Sequence, residues 1–255
     1  MTVDYDAIAA SYACNRRASE QVIAELRAFG SLAQASLVLE VGCGTANHIS
    51  ALVDAIGCGG WGIEPSDAMR KHARVRSQVG VSKGTAECIP YEDGFFDLLF
   101  SVDVIHYVRT PTNHFEESFR VLRPGGWICT FTDSTEMIRS REPLSRYWPA
   151  SAKAEIRRYH TVETLLASMG EAGLTNLTRR EIKRESRVTD SSPYREKAYS
   201  CLRLISDAEY EEGLRWLEDD LKKGPVLKTS EYVCIWGMKP QKAVGDENPR
   251  RSPIS

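Results

Sequence analysis

The chain has 255 residues, of which 42% are hydrophobic and 27% are charged. These proportions are ordinary for a folded globular protein and too apolar for a disordered one. The 33 basic and 35 acidic residues give a formal net charge of −2, so no bulk positive field attracts nucleic acid or an anionic membrane. The seven cysteines are scattered and include no CxxC pair, which argues against a disulfide framework and favours a reducing compartment.

The chain shows neither a secretory signal nor a membrane-spanning segment. Its first residues, MTVDYDAIAASYACNRR, lack a basic start followed by an apolar stretch. The most apolar stretch, residues 95–108, is interrupted by Asp97 and Asp103 and falls short of the roughly 18 residues that a membrane span requires. We therefore expect a cytoplasmic protein with no membrane partner.

The first half of the chain alternates between strand and helix patterns. A helical pattern over residues 4–29 ends at Gly30, and the apolar run Leu37–Val41 predicts a strand buried on both faces. A small-residue turn and a helix that ends before Gly57 follow. Further strands are predicted over 60–65, 79–84, 95–103 and 127–133, with helices over 66–76 and 113–122. Such alternation indicates right-handed crossovers and a doubly wound, parallel α/β sheet.

After Asp133 the pattern becomes less regular. Residues 134–160 are polar and rich in arginine, and no element is predicted there. Later segments predict a helix over 161–174 with Thr161 at its start, a strand over 177–183, a helical region over 195–222 and a last strand over 231–240. Because no repeat and no Pro/Gly linker is present, the sequence favours one domain with elaborations.

The residues that follow the first two strands carry the site chemistry, since ligands of an open parallel sheet bind beyond the carboxyl ends of its strands. Gly42 and Gly44 permit a tight turn and a close approach of the backbone to a ligand. Glu64 comes about twenty residues later, and its carboxylate can accept hydrogen bonds from ribose hydroxyls. The arrangement predicts a nucleoside cofactor.

Two nucleoside cofactors use such a turn. A dinucleotide site requires a third small residue that brings the helix N-terminus to the pyrophosphate, and Asn47 occupies that position. The sequence EVGCG, with an acid before a G-x-G turn, instead suits a cofactor without phosphate. S-adenosylmethionine is such a cofactor, with an amino-acid end, a ribose and an adenine.

Four segments resemble, in order and spacing, the motifs of class I S-adenosylmethionine-dependent methyltransferases. They are VLEVGCGTANHI, GIEPSDAMRKHAR, GTAECIPYEDGFFDLLFSVDVIHYV and ESFRVLRPGGWICTFTD. The match covers about residues 37–133 and is similar to the small-molecule branch called the type 11 domain. It implies a Rossmann-like, doubly wound, mostly parallel seven-stranded sheet with helices on both faces. The implied divisions are an N-terminal helical lid (1–36), a cofactor-binding core (37–133), an acceptor-pocket elaboration with the last part of the sheet (134–240) and a disordered tail (241–255).

The resemblance also implies roles for individual residues of the cofactor-binding core. The residues implied to surround the methionine moiety are Glu40, Gly42, Cys43 and Gly44, and the residue implied to bind the ribose is Glu64. The residues implied to line the adenine are Pro65, Met69, Ala86 and Glu87, and Ser101 is expected to face the cofactor. Two positions depart from the family, because Ala46 replaces a third glycine and Thr85 replaces an acid that often contacts the adenine.

The family's reaction is an in-line displacement at a carbon that the sulfonium charge already activates. The protein therefore mainly positions the acceptor and excludes water. A base is needed only when the acceptor must lose a proton. His106 and Tyr107, just past the fourth strand, are candidates for an acid/base pair, with ordinary packing as the alternative. Tyr12, together with Tyr5, would contact substrate or cofactor from the lid.

Two later features have alternative interpretations. The five arginines within residues 139–158 either hold an anionic group of the acceptor or form a solvated helix face. His160 either faces the acceptor or lies at the surface near a helix start.

The leading hypothesis is a methyltransferase that uses S-adenosylmethionine on a small-molecule acceptor, without a bound metal. The alternatives are a nicotinamide-dependent oxidoreductase, a metalloid methyltransferase that uses thiolates such as Cys14, Cys129 and Cys201, and a cofactor-binding regulatory protein without turnover. A nucleic-acid acceptor is disfavoured, because the segment SVDVIH lacks the Asn/Asp-Pro-Pro-aromatic motif that holds a flipped base.

Overall fold

The structure, a computed structural model, describes residues 6, 9, 13, 17–30, 32–73, 75 and 78–241. Within these residues the strands are β1 (Leu37–Val41), β2 (Gly59–Ile63), β3 (Val79–Ser82), β4 (Phe96–Val102), β5 (Leu122–Thr132), β6 (Thr175–Val188) and β7 (Val226–Met238). They form one sheet in the order β3–β2–β1–β4–β5–β7–β6. Because the order reverses between β1 and β4, a crevice for ligands opens at their carboxyl ends.

Helices connect the strands and cover the sheet. Those with described bounds are α1 (Glu20–Phe29), α2 (Asn47–Ile56), α3 (Asp67–Lys71), α4 (Pro111–Val121), α5 (Thr135–Ser140), α6 (Leu144–Tyr147), α7 (Pro149–Ile156), α8 (Val162–Glu171), α9 (Ser192–Arg195) and α10 (Asp207–Leu221). Two short 3₁₀ helices lie at Ile105–Tyr107 and Ser200–Arg203. None of these described helices is both long and apolar enough to cross a lipid bilayer.

The strand directions confirm the predicted fold class. The strands β1 to β5 pair in parallel, whereas β7 is antiparallel to both β5 and β6. The two-residue period of β1 directs Leu39 to one face of the sheet and Val38 to the other. On the first face Phe115 of α4 and Leu165 of α8 are fully buried, and on the second face Leu26 of α1 is fully buried. Burial of each such side chain contributes about 1.5–3 kcal/mol, so both faces hold the fold together.

A third hydrophobic cluster, the C-terminal cluster, shares no residue with the clusters on the two sheet faces. Its fully or nearly buried members are Leu144, Tyr147, Trp148, Val188, Tyr194, Cys201, Leu202, Tyr210, Leu214, Leu217 and Val226. Trp148 is stacked on Tyr194 at a ring distance of 5.6 Å, and its indole N–H donates to the Tyr210 carbonyl at 2.9 Å. All members come from residues 144–226, so this region has a core of its own beside the sheet.

Besides shifts in the bounds of several elements, two differences from the predicted elements bear on the site. Residues 134–160, for which no element was predicted, contain α5, α6 and α7. The helical region predicted over 195–222 is broken, and its regular part α10 begins only after Ser206. The hydroxyl of Ser206 accepts from the backbone of Glu209, whose carboxylate accepts from the Ser206 backbone, and this capping box fixes the start of the helix.

The described part of the predicted lid has two different environments. Helix α1 packs against the sheet through Val22 and Leu26. Asp6 instead lies beside the start of α3, where its carboxylate accepts from the Ser66 hydroxyl at 2.5 Å and from the Ala68 backbone at 3.2 Å. The predicted tail falls, except for residue 241, outside the described residues.

Candidate functional site

A cavity of about 490 Å³ opens at the carboxyl ends of the strands. Its glycine half is lined by residues that follow β1, β2 and β3, namely Gly42, Gly44, Glu64, Pro65, Met69, Thr85, Ala86 and Glu87. Its helical half is lined by later residues, including Asp103, His106, Asp133, Arg141, Glu142, Glu155, Tyr159, Tyr199 and Lys228. Seven predicted cofactor-binding residues therefore lie around one space: Gly42, Gly44, Glu64, Pro65, Met69, Ala86 and Glu87.

The turn after β1 has the conformation that its glycines allow. Gly42 and Gly44 have positive φ angles of 67° and 54°, a region in which glycine carries no steric penalty. A Cβ atom on Gly42 would lie 2.5 Å from Cγ2 of Val104. Ala46, which replaces the family's third glycine, also has a positive φ of 61° and directly precedes α2. The turn therefore keeps the cradle shape that exposes backbone groups to a ligand.

Two buried carboxylates fix this turn. One oxygen of Glu40 accepts from the backbone N–H of Ile49 at 2.9 Å, which ties β1 to the first turn of α2. The two oxygens of Glu64 accept from the backbone N–H groups of Gly44 and Ser66, at 3.0 and 2.9 Å. Burial raises the pKa of Glu64, and these two hydrogen bonds oppose the effect. Since each carboxylate oxygen has two lone pairs, Glu64 can still accept from ribose hydroxyls in the cavity that it lines.

The far wall of the glycine half is positioned by a histidine that the sequence analysis missed. The imidazole Nδ1–H of His114 donates to the carbonyl of Ala86 at 3.1 Å. His114 is fully buried on α4, and burial lowers its pKa to about 4, so the ring is neutral at pH 7. Sequence reasoning had no signal for this contact, because the two residues lie 28 positions apart.

Ser101 is not among the residues that line the cavity, and its contact with the cofactor stays a prediction. Ser101 is fully buried within β4, where its hydroxyl lies 3.5 Å from that of Thr130. The strand continues to Val102, and the cavity is lined by the next residues, Val102–Val104. Because β4 is buried on both faces, no alternation of polar and apolar residues marks which residue first reaches the cavity.

Glu40 and Cys43 lie away from the main cavity. With Gly42 and His48 they border a neighbouring polar cavity of about 350 Å³. Asp103, Lys228 and Tyr232 line both spaces. The sulfur of Cys43 is close to Gly62, and burial raises the pKa of its thiol, so Cys43 is a packing residue of the turn. Tyr5 and Tyr12 lie outside the described residues.

His106 lines the helical half, as expected of a candidate base. Its ring stacks on Tyr159 at a ring distance of 4.3 Å and is tilted against Tyr107 at 4.2 Å. Burial lowers the pKa of His106 to about 3, and the neighbouring cations Arg158 and Arg141 lower it further. The ring is therefore neutral at pH 7. Its Nδ1 atom is buried and has no hydrogen-bond partner among the described residues.

A buried ion-pair cluster at the end of β5 was not predicted from the sequence. Asp133 accepts from Arg141 at 2.7 Å, and the same guanidinium reaches Glu155 at 3.2 Å. Burial raises the pKa of Asp133 to about 7; Arg141 opposes this shift, whereas the negative charges of Asp103 and Glu155 add to it. The arginine-rich segment thus supplies one cation that neutralises carboxylates of the protein.

The other arginines of that segment lie outside the cavity lining. Arg139 and Arg157 are exposed, which fits the solvated helix face. Arg146 forms an ion pair with Asp220, and Arg158 lies over the ring of Tyr107 at 4.8 Å. His160 hydrogen-bonds through Nε2 to the Val108 carbonyl at 2.8 Å and is absent from the residues that line the cavity.

The cysteines give the metalloid hypothesis no support. Cys58, Cys129 and Cys234 are buried in the core on one face of the sheet, Cys88 is exposed and Cys201 lines the cavity. Within the described ranges no group of three or more Cys, His, Asp or Glu side chains is arranged to hold a metal ion. Cys14 lies outside those ranges.

Comparisons with known proteins agree with this architecture. A family model described as a methyltransferase domain, of type 11, matches residues 39–130. Malonyl-[acyl-carrier protein] O-methyltransferase of Geobacter sulfurreducens is 28% identical over 189 residues, which cover 68% of this chain and 67% of the relative. Demethylmenaquinone methyltransferase of Bacillus mycoides is 33% identical over 122 residues, 44% of this chain and 52% of the relative.

A solved structure shows the same fold. The putative methyltransferase from an antibiotic biosynthesis pathway of Anabaena variabilis superposes with a TM-score of 0.67 at 21% identity, over 85% of this chain and 96% of that one. The curated relatives are matched over 17% to 67% of their own length.

The sheet order, the glycine turn and the acid after β2 define a Rossmann-like methyltransferase core. Residues 39–130 of the chain match a methyltransferase domain of type 11. The resemblance inferred from the four sequence motifs is thereby confirmed.

Proposed function

We propose that the chain transfers a methyl group from S-adenosylmethionine to a small-molecule acceptor. The observation that carries this proposal is the continuity of the cavity. One space runs from the glycine turn and Glu64 to the polar side chains of the helical half. A volume of about 490 Å³ lies within the range of roughly 300–1,000 Å³ that is typical of small-molecule sites.

The residues of the glycine half fit the parts of the cofactor. Glu64 offers its carboxylate to the ribose hydroxyls, and the turn at Gly42 and Gly44 leaves room for the amino-acid end. Pro65 and Met69 supply apolar surface for the adenine, beside Ala86, which is held by His114. When bound, S-adenosylmethionine supplies a methyl group activated by the positive charge on sulfur. S-adenosylmethionine carries no phosphate, so the N-terminus of α2 need not bind one. This agrees with Asn47 at the start of α2, where a dinucleotide site requires a third small residue.

The remaining work of the chain is to orient the acceptor and exclude water. The helical half supplies the acceptor wall, through side chains of residues 133–159 and 194–203 and of β7. The contact of Asp6 with Ser66 supports a lid role for the segment 1–36 over the glycine half. The net charge of −2 favours a small molecule over nucleic acid, and the free thiols of the described cysteines favour the cytoplasm.

Calorimetric titration of the full chain with S-adenosylhomocysteine tests the proposal, with NAD⁺ as the comparison ligand. We expect saturable binding of S-adenosylhomocysteine and no binding of NAD⁺ at the same concentration. Binding of NAD⁺ alone would support the oxidoreductase alternative. Binding of S-adenosylhomocysteine without methyl transfer to any of a broad acceptor set would support a regulatory protein.

A further inference from the structure

The helical half of the cavity is richer in hydrogen-bond acceptors than in available cations. Its lining carboxylates are Asp103, Asp133, Glu142, Glu155 and Glu231. The lining cations already have hydrogen-bond or ion-pair partners, in the case of Arg203 the Glu196 carbonyl at 3.4 Å. Arg141 is shared by two carboxylates, and Lys197 pairs with Asp207 at 3.1 Å. Lys228 donates to the Tyr199 hydroxyl at 2.9 Å, Arg203 is exposed, and Glu231 pairs with Lys183.

Two buried polar atoms in this half lack a partner, a carboxylate oxygen and an imidazole nitrogen that accepts a hydrogen bond when the ring proton is on Nε2. Nδ1 of His106 and Oε2 of Glu142 are buried, line the cavity and have no hydrogen bond among the described residues. A buried polar atom without a partner has lost its hydrogen bonds to water, so a ligand that donates hydrogen bonds gains by binding there. Because His106 is neutral and Glu142 is acidic, a positively charged donor suits the pair and a carboxylate does not.

Aromatic rings complete the wall. The tyrosines that line the cavity together with these acceptors are Tyr107, Tyr159, Tyr194, Tyr199 and Tyr232. One face of Tyr107, of Tyr159 and of Tyr199 is already covered, by Arg158, His106 and Lys228 respectively, so a ligand can use only their other faces. The negative faces of aromatic rings attract cations. Carboxylates, unpartnered acceptors and aromatic faces in one space are the chemical features that recognise an ammonium group.

We propose that the methyl acceptor is a primary or secondary amine, bound in its ammonium form in the helical half, and that the Asp133 carboxylate takes the proton that the nitrogen must lose. This inference rests on the proposed function. The nitrogen gives up one proton to Asp133, and its freed lone pair forms a bond to the methyl carbon. The carbon–sulfur bond breaks with its electron pair left on sulfur, so the products are the methylated ammonium, S-adenosylhomocysteine and protonated Asp133.

The surroundings of Asp133 suit this role. Arg141 holds the carboxylate in place, while Asp103 from the end of β4 and Glu155 from α7 keep a negative field around it. Tyr159 donates a hydrogen bond to Asp133 and stacks on His106, which links the proposed base to the unpartnered imidazole. With a pKa of about 7, Asp133 is substantially ionised at neutral pH and still basic enough to hold a proton.

The first test compares acceptors that differ only in the reacting group. Methyl transfer by the full chain is measured with 2-phenylethylamine, 2-phenylethanol and 3-phenylpropanoate, and with hexylamine, hexanol and heptanoate. We expect at least one amine to react with a kcat/KM about 100-fold above its alcohol and carboxylate partners. The proposal is overturned if an alcohol or carboxylate is the best acceptor, or if neither amine reacts while S-adenosylhomocysteine binds. Failure of S-adenosylhomocysteine to bind would instead remove the proposed function itself.

The second test separates proton transfer from packing. Asp133→Asn should lower kcat with the amine by about 100-fold, with the affinity for S-adenosylhomocysteine unchanged within about threefold. Asp219→Asn, at an exposed position on α10, is the matched control and should retain full activity. In the wild type, kcat/KM should rise with pH as Asp133 of the free enzyme loses its proton, at a pH above the ordinary range of an aspartate because burial raises its pKa; this result does not depend on whether the variant folds. A wild-type kcat/KM without this rise, or full activity in Asp133→Asn, would contradict the base role.

Discussion

The two halves of the cavity are built in different ways. In the glycine half the decisive contacts join a side chain to a nearby backbone group, such as Glu40 to Ile49 and Glu64 to Gly44, over 9 and 20 positions. In the helical half they join side chains from distant segments, as when Tyr232 donates to Asp103 across 129 positions. The first half is therefore specified by one strand–turn–helix segment and its neighbour, whereas the second exists only once the C-terminal cluster has packed.

The largest expected effect sharpens this contrast within the glycine half. Glu64→Gln removes the charge and turns an amide NH₂ towards one of the two backbone N–H donors, those of Gly44 and Ser66, that Glu64 now binds. Hydrogen bonds to a charged group contribute about 1.5–3 kcal/mol each. We expect the affinity for S-adenosylhomocysteine, measured by calorimetry, to fall about 100-fold, which is about 2.7 kcal/mol.

The matched control for this variant is Glu211→Gln, an exposed position on α10. It should bind S-adenosylhomocysteine with the affinity of the wild type. If Glu64→Gln also binds S-adenosylhomocysteine normally, other groups hold the ribose. Cofactor binding would then not depend on the short-range contacts of Glu64 by which the glycine half is defined above.

The same contrast explains what the sequence could predict. The strands β1 to β5 and the turn at Gly42 could be predicted because each has a local sequence signal, an apolar run or a group of small residues within a few positions. Of the later elements, α5, α6 and α7 were missed because each has eight residues or fewer. Helix α7 also buries the polar side chains Ser151 and Glu155, so no apolar stripe marks it.

The residues of the candidate site also differ in whether nearby sequence could predict them. Glu64 could be predicted from its distance to the glycines along the chain. Asp133 could not, because its chemistry depends on Arg141 and Glu155, which lie 8 and 22 positions away in a segment without regular pattern. The sequence also could not show that the cavity lining begins after Ser101, since a strand buried on both faces gives no sign of where it meets the cavity.

A smaller effect is expected from disturbing the C-terminal cluster alone. On α10 a Cβ at Gly213 would lie 2.3 Å from the indole nitrogen of Trp148 and 2.4 Å from the Tyr147 carbonyl. Gly213→Ala should therefore lower the free energy of unfolding, measured by urea titration, by about 1–3 kcal/mol. Because the glycine half does not depend on this packing, the affinity for S-adenosylhomocysteine should change by less than about threefold.

The control for that prediction is another helical glycine. At Gly170 on α8 the nearest atom to an added Cβ is Cδ1 of Leu177 at an ordinary 3.8 Å. Gly170→Ala should stabilise the protein by about 0.5–1 kcal/mol through helix propensity. Loss of S-adenosylhomocysteine binding in Gly213→Ala, with normal binding in Gly170→Ala, would show that the two halves are coupled.

The smallest expected effect concerns the residue that the sequence put forward as a base. Burial lowers the pKa of His106 to about 3, so its ring stays neutral between pH 5 and 9 and is too weak a base to compete with Asp133. We expect His106→Gln to change kcat/KM by less than about tenfold, through packing on Tyr159 and Tyr107, and to leave the rise with pH in place. The measurement is the pH profile of kcat/KM for the wild type and the variant. If the rise disappears in His106→Gln, then His106 rather than Asp133 takes the proton. The base of the helical half would then be the residue after β4 that the sequence already put forward, and the ion-pair cluster around Asp133 would have no part in proton transfer.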